Sequence, residues 1–184
     1  MRFFCSVFLI VIIFYSCSGS DPANDSTKWV SLDQKTDTVK HAYNINTGKT
    51  GPADLISFAR TLTGIPYKYG SSDPTQGFDC SGFITHVFNH FSIVVPRSSV
   101  DFTYAGREID LENAKPGDLI LFTSTDSTIR VVGHMGILVT SPKEGLTFIH
   151  STSGKAHGVT ETPLNAYYMG RFMKVIRIFA KNDL

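Results

Sequence analysis

Gly77-Phe78-Asp79-Cys80-Ser81-Gly82-Phe83-Ile84 carries a polar loop into a segment where Phe83, Ile84, Val87, Phe88 and Phe91 recur at helical spacing. Asp79 is a favoured N-cap residue, so the helix is expected to start at Cys80 with the thiol in its first turn. There, unpaired N–H groups and the positive end of the helix dipole are expected to favour the thiolate. The competing reading is a buried cysteine acting as a small hydrophobe. The rest of the chain decides between them.

The 184 residues carry a formal net charge of +1 and no dense run of Lys and Arg. The size suits one globular domain with short extensions, and the charge balance argues against a nucleic-acid partner. Met1-Arg2 precedes an apolar run from Phe3 to Tyr15, broken by Ser6, that is too short for a membrane span but fits a secretory signal. Residues 1–16 are therefore expected to be a signal peptide, with Cys17 the acylated cysteine of a lipoprotein; a cut after Ser18 by an ordinary signal peptidase is the rival. Cys5 leaves with the signal and Cys17 would carry lipid, so Cys80 stays as a lone thiol in an exported domain. Exported proteins use cysteine mainly in bridges, and an unpaired thiol there is a liability unless it does chemistry.

Residues 17–50 are rich in Ser, Asp, Asn, Thr and Lys and read as a flexible tether, with Trp29-Val30 a possible docking point. The folded domain is expected to cover residues 51–184, opening with a helix at Pro52 whose apolar face is Leu55, Ile56, Phe58, Ala59 and Leu62, stopped by Gly64 and Pro66. A Gly, Ser and Pro loop follows from Tyr67, and Pro96-Arg97-Ser98-Ser99 caps a short helix to Ala105. Then the period changes. Lys115-Pro116-Gly117-Asp118 is a turn before the buried strand Leu119–Phe122, and Val131–Val139, Leu146–Thr152 and Arg171–Phe179 are further strand-like runs. Helices first and strands afterwards indicate an α+β domain with helices on one side of a mainly antiparallel sheet.

His134 and His150 lie on the two strands of one hairpin. A three-residue loop, Ser141-Pro142-Lys143, pairs Thr140 with Glu144; the index sum of 284 then sets His134 opposite His150 on the same face. Cys80, His134 and His150 make a nucleophile, a base and an orienting group, with the N–H groups at the helix start available to an oxyanion and Gly136 leaving the approach to the base open. The same three side chains could instead hold zinc, but no close ligand pair such as Cys-x-x-Cys anchors such a site, so no metal or cofactor is expected. His41, His86, His90 and His157 read as solvated.

Six stretches in order, Pro66–Gly70, Gly77–Phe83, Pro96-Arg97, Pro116–Leu119, Gly133–Gly136 and Phe148–His150, resemble the NlpC-type cysteine peptidases of bacterial cell walls, a papain-like fold. The resemblance runs from Pro52 to Ile178. It implies Cys80 as nucleophile, His134 as base and His150 as orienting residue, with Tyr67 beside the site and Asp79 and Ser81 contacting substrate. The implied substrate is the peptidoglycan stem peptide, cut between γ-D-glutamate and a diamino acid. The expected protein is a monomeric, membrane-anchored envelope enzyme. An amidase or acyl-transfer enzyme on this scaffold, and a catalytically idle wall-peptide-binding lipoprotein, are the alternatives.

Overall fold

The computed structural model describes residues 45–183, and among these no helix is long and apolar enough to cross a membrane. The signal segment, Cys17, Trp29-Val30 and His41 lie outside the described residues.

Folded structure begins before the expected boundary at Gly51. Residues 47–50 close a turn, Ile45 packs on the core, and the Lys49 carbonyl accepts a hydrogen bond from Lys181 Nζ at 2.7 Å. Helix α1 spans Pro52–Thr61 and buries Leu55, Ile56 and Ala59, the face that its periodicity marks. A two-residue ladder of β1 (Ser72–Asp73) and β2 (Gly77–Phe78) leads into α2, Cys80–His90, whose buried face includes Phe83, Ile84, Val87 and Phe88. Burying each such side chain contributes roughly 1.5–3 kcal/mol before entropy is counted. After Pro96 the chain makes bends, and only Asp101–Tyr104 turns helically, as a 3-10 turn. That is shorter than the helix expected to Ala105.

The remaining strands are β3 (Arg107–Ile109), β4 (Leu119–Thr123), β5 (Val132–Leu138), β6 (Thr147–Thr152), β7 (Gly158–Pro163) and β8 (Phe172–Arg177), with α3 (Ala166–Arg171) before β8. They form one antiparallel sheet in the order β3-β8-β4-β5-β6-β7. Helices α1 and α2 pack on the face carrying Leu119, Leu121, Ile137 and Ile149. The opposite face, with Ile120, Phe122, Leu138 and Phe148, is also covered, by Tyr168 of α3 together with Leu111, Leu146 and Leu164. Two-sided burial explains why β4 is apolar at successive positions instead of alternating.

Three expectations need correction. The last strand starts at Phe172, because Asn165 caps a short helix by accepting from Tyr168 N at 3.2 Å and Arg171 is that helix's final residue. Strand β7 carries weak alternation and ends in Pro163, the profile of an edge strand, and the sequence reading passed over it. The β5–β6 hairpin pairs Ile137 with Ile149 and Leu138 with Phe148, an index sum of 286 and not 284. Its loop is longer than three residues because Thr140 Oγ1 accepts from Thr147 N and donates to the Gly145 carbonyl, each at 2.8 Å, while Pro142 opens a 3-10 turn.

Candidate active site

A slip of two in the hairpin keeps both histidines on one face but makes them diagonal neighbours. The rings still meet. His134 Nε2 lies 2.8 Å from His150 Nδ1, and His150 Nε2 lies 2.9 Å from Thr162 Oγ1 on β7. Two tautomer sets satisfy these distances. Only the set in which His134 donates to His150, and His150 donates to Thr162, leaves His134 Nδ1 unprotonated and able to take a proton. Thr162 was missing from the sequence reading because β7 was not recognised. Gly136 has a different function from the one expected: a Cβ there would stand 2.6 Å from Phe148 Cδ2 and 3.2 Å from His150 Cβ, so it makes room for the second histidine.

Cys80 is half-buried and packs against the main core. Its Sγ is 3.9 Å from the Gly133 carbonyl and accepts from the Met135 N–H, so the sulfur rests against the peptides on either side of His134. Thiol and imidazole line one cleft with Tyr67, which a bridge to Phe78 holds beside the start of α2. Asp79 caps α2 by accepting from Gly82 N at 2.5 Å. Both of its oxygens also receive Arg97, at 3.1 and 2.8 Å, and Ser81 Oγ receives Arg97 Nη1 at 3.0 Å. Asp79, Ser81 and Arg97 thus form one wall of a second pocket that shares Tyr67, Cys80 and Gly133 with the first, with the cap reading of Asp79 realised in full. A Cβ on Gly82 would come within 2.0 Å of the Ser71 carbonyl, which receives the Asp79 N–H; the wall therefore requires glycine there.

Two sequence expectations about charge fail here. Burial, and after it the Asp79 carboxylate, push the Cys80 thiol up to about 11, while the N–H groups of Ser81, Cys80 and Met135 pull only partly the other way. At neutral pH the resting Cys80 side chain is therefore a thiol, not the thiolate the helix dipole suggests. Alkylation of Cys80 by iodoacetamide is expected to keep accelerating with pH well past 9; a plateau at or below the ordinary thiol range near pH 8.5 would contradict this. The second concerns His86, which is half-buried with its ring 5.0 Å from Phe78, and whose pKa burial lowers. It is not solvated. Exposed His90 stacks on Phe58 with centroids 3.6 Å apart, and His157 is exposed at a positive φ of 48°.

His134 is held well below the ordinary histidine range, first by burial, then by His150 and Arg171; His150 is lowered to about 3 by burial and Arg171. Both are neutral at pH 7. Below pH 6.5 an unfolded chain takes up protons that these folded rings refuse, so stability falls as the pH drops from 6.5 towards the folded values. For His150 the loss between pH 7 and 5 is about 2 kcal/mol. Urea titrations at the two pH values measure this loss together with that of His134, and His150→Gln is expected to reduce the measured difference by about 2 kcal/mol while leaving the His134 share.

Among the described residues no three metal-ligating side chains converge, and the facing nitrogens of the two histidines are bonded to each other. The arrangement offers a nucleophilic sulfur, a neutral base with one free nitrogen, an orienting relay and N–H donors at a helix start, the components of acyl transfer through a thioester.

A sequence model of the NlpC/P60 family matches residues 64–177. The chain is 35% identical over 126 residues to a gamma-DL-glutamyl hydrolase of Bacillus subtilis, a match covering 68% of this chain and 30% of that protein. It is 32% identical over 128 residues to the probable endopeptidase NlpC of Escherichia coli, covering 68% of this chain and 77% of that one. A crystal structure of an NlpC/P60 family protein from Bacillus cereus superposes with a TM-score of 0.63 at 28% identity, over 72% of this chain and 42% of that chain. The chain spans a third or less of the length of several such relatives, the B. subtilis hydrolase included.

Proposed function

This chain belongs to the NlpC/P60 family, and from that premise we propose that it is a peptidoglycan endopeptidase that hydrolyses the stem-peptide bond between γ-D-glutamate and a diamino acid. The observation that carries the reading is the Cys80 sulfur seated against the peptides flanking His134, whose other ring nitrogen is fixed by His150. In this reading Sγ attacks the γ-carbonyl carbon while His134 Nδ1 takes the thiol proton. N–H groups at the start of α2 receive the oxyanion. Collapse breaks the C–N bond, His134 returns the proton to the departing amine, and the glutamyl group stays on sulfur as a thioester. Water, deprotonated by the same nitrogen, then releases the acid and restores the thiol. His150 and Thr162 hold the imidazole in its productive tautomer. Tyr67, Asp79 and Ser81 contact the glutamyl side of the substrate, with Arg97 fixing the last two.

The same proposal includes an address: residues 1–16 as signal, Cys17 as the lipid-bearing residue, the stretch from there up to the folded Ile45 as tether, and a monomeric peptidase domain held at a membrane of the cell envelope. Digestion of defined muropeptides, with product masses read out, tests it. The expected products end in free γ-D-glutamate; masses showing another bond cut, or no bond cut, would refute it.

A further inference from the structure

Arg171 is only 7% exposed, yet among the described residues it has no carboxylate within ion-pair distance. Its donors go to neutral oxygens instead: Nε to the Ser124 carbonyl and Nη2 to the Thr123 carbonyl, both at 2.8 Å, and Nη1 to Tyr167 Oη at 2.9 Å. That uses three of five N–H groups and leaves two. The other buried arginine, Arg177, is paired with Asp118, so the chain does supply acids for its buried cations elsewhere. A guanidinium without a counter-charge in a low-dielectric site is unfavourable unless something supplies one.

The position of this cation bears on the chemistry. The guanidinium carbon lies 5.7 Å from the Tyr168 ring, which is 5.5 Å from the His150 ring and 6.2 Å from that of His134. Arg171, Cys80 and His134 all line one cleft of about 1110 Å³, and Lys155 is on its rim. No Asp or Glu lines that cleft, whereas in the neighbouring pocket, which shares Tyr67, Cys80 and Gly133 with it, Arg97 is already matched by Asp79. A cation here opposes the imidazolium that His134 must become, and Arg171 does lower both histidines. An anion arriving beside it would remove that opposition.

We propose that the Arg171 side of the cleft, with Lys155 at its rim, is a subsite for a carboxylate of the leaving residue, the diamino acid released from γ-D-glutamate. The inference rests on the proposed endopeptidase reading and adds what the enzyme requires beyond the scissile bond. Two sources share this chemistry: the α-carboxylate of a leaving residue that ends the peptide, and a side-chain carboxylate such as diaminopimelate carries and lysine lacks. Because the anion both anchors the substrate and offsets the charge facing His134, its removal lowers kcat as well as raising KM.

The test uses the whole protein and a series of L-Ala-γ-D-Glu-X substrates. X is diaminopimelate with both carboxylates free, with the α-carboxylate amidated, or with the side-chain carboxylate amidated, and lysine free or amidated. Amidating the recognised carboxylate is expected to lower kcat/KM by about 10- to 100-fold, the range of one charge-assisted hydrogen bond, and the amidation that does so identifies the source. Arg171→Gln, checked for folding by thermal melting, is expected to cleave the acid and amide forms at the same reduced rate. Should that variant not fold, the substrate series on the unmodified protein decides alone. Cleavage of all forms within about twofold would overturn the subsite while leaving the endopeptidase reading intact. Cleavage of none would overturn that reading, and the subsite with it.

Discussion

Replacing Cys80 with alanine is expected to lower release of stem-peptide fragments by at least about 10⁴-fold, because the reaction as proposed has no other atom to carry the acyl group. The side chain is half-buried and loses one sulfur, so the melting transition should move little, by the equivalent of about 1 kcal/mol or less. His134→Ala should match it in size, since a thiol pushed up to about 11 hardly ionises at neutral pH without a base. The two losses should not add, because sulfur and imidazole act as one unit. His150→Ala should fall between, leaving the base in place but free to turn to the wrong tautomer. Product masses from defined muropeptides measure all of these. More than about 1% of wild-type activity in a folded Cys80→Ala protein would remove the thiol from the mechanism.

The largest expected effect on stability lies outside the cleft. Asp118, fully buried, receives Arg177 Nε at 3.0 Å and Nη2 at 2.8 Å, the Lys115 N–H at 2.9 Å and Asn182 Nδ2 at 3.1 Å. This cluster ties the turn before β4 to the end of β8 and to the C-terminal 3-10 segment. Arg177→Met keeps most of the volume but strands a carboxylate that has left water, and should destabilise the domain by about 3–5 kcal/mol. Adding Asp118→Asn removes the stranded charge and should recover a substantial part. Urea midpoints for the single and double variants measure the difference, and equal midpoints would mean that the ion pair contributes nothing by its charge. Activity per folded molecule should be unchanged, as neither residue lines the Cys80 cleft.

The parts of the site that could be read from the sequence are those governed by local rules. Asp79 before an apolar period placed Cys80 at a helix start, and the capping bond to Gly82 is the physical content of that rule. The pairing of His134 with His150 survived a wrong loop length because a slip of two preserves the face, whereas a slip of one would have separated them. What could not be read depends on contacts between distant segments. Thr162 reaches His150 from an edge strand whose own pattern is weak. Arg171 reads as the start of a strand until Asn165 is seen capping a helix. The thiol's protonation does not follow from the local rule, because the helix end is a local feature while the burial that outweighs it is tertiary, with the sulfur against Gly133 of β5 and the main core.

The relay from sulfur to hydroxyl draws one residue each from α2, β5, β6 and β7, and the last belongs to the outermost strand of the sheet. A fragment that stops before β7 lacks the hydroxyl that fixes the second imidazole. In the proposed reading, the sulfur, the base and both groups that orient it come together only in a chain folded through that outer strand.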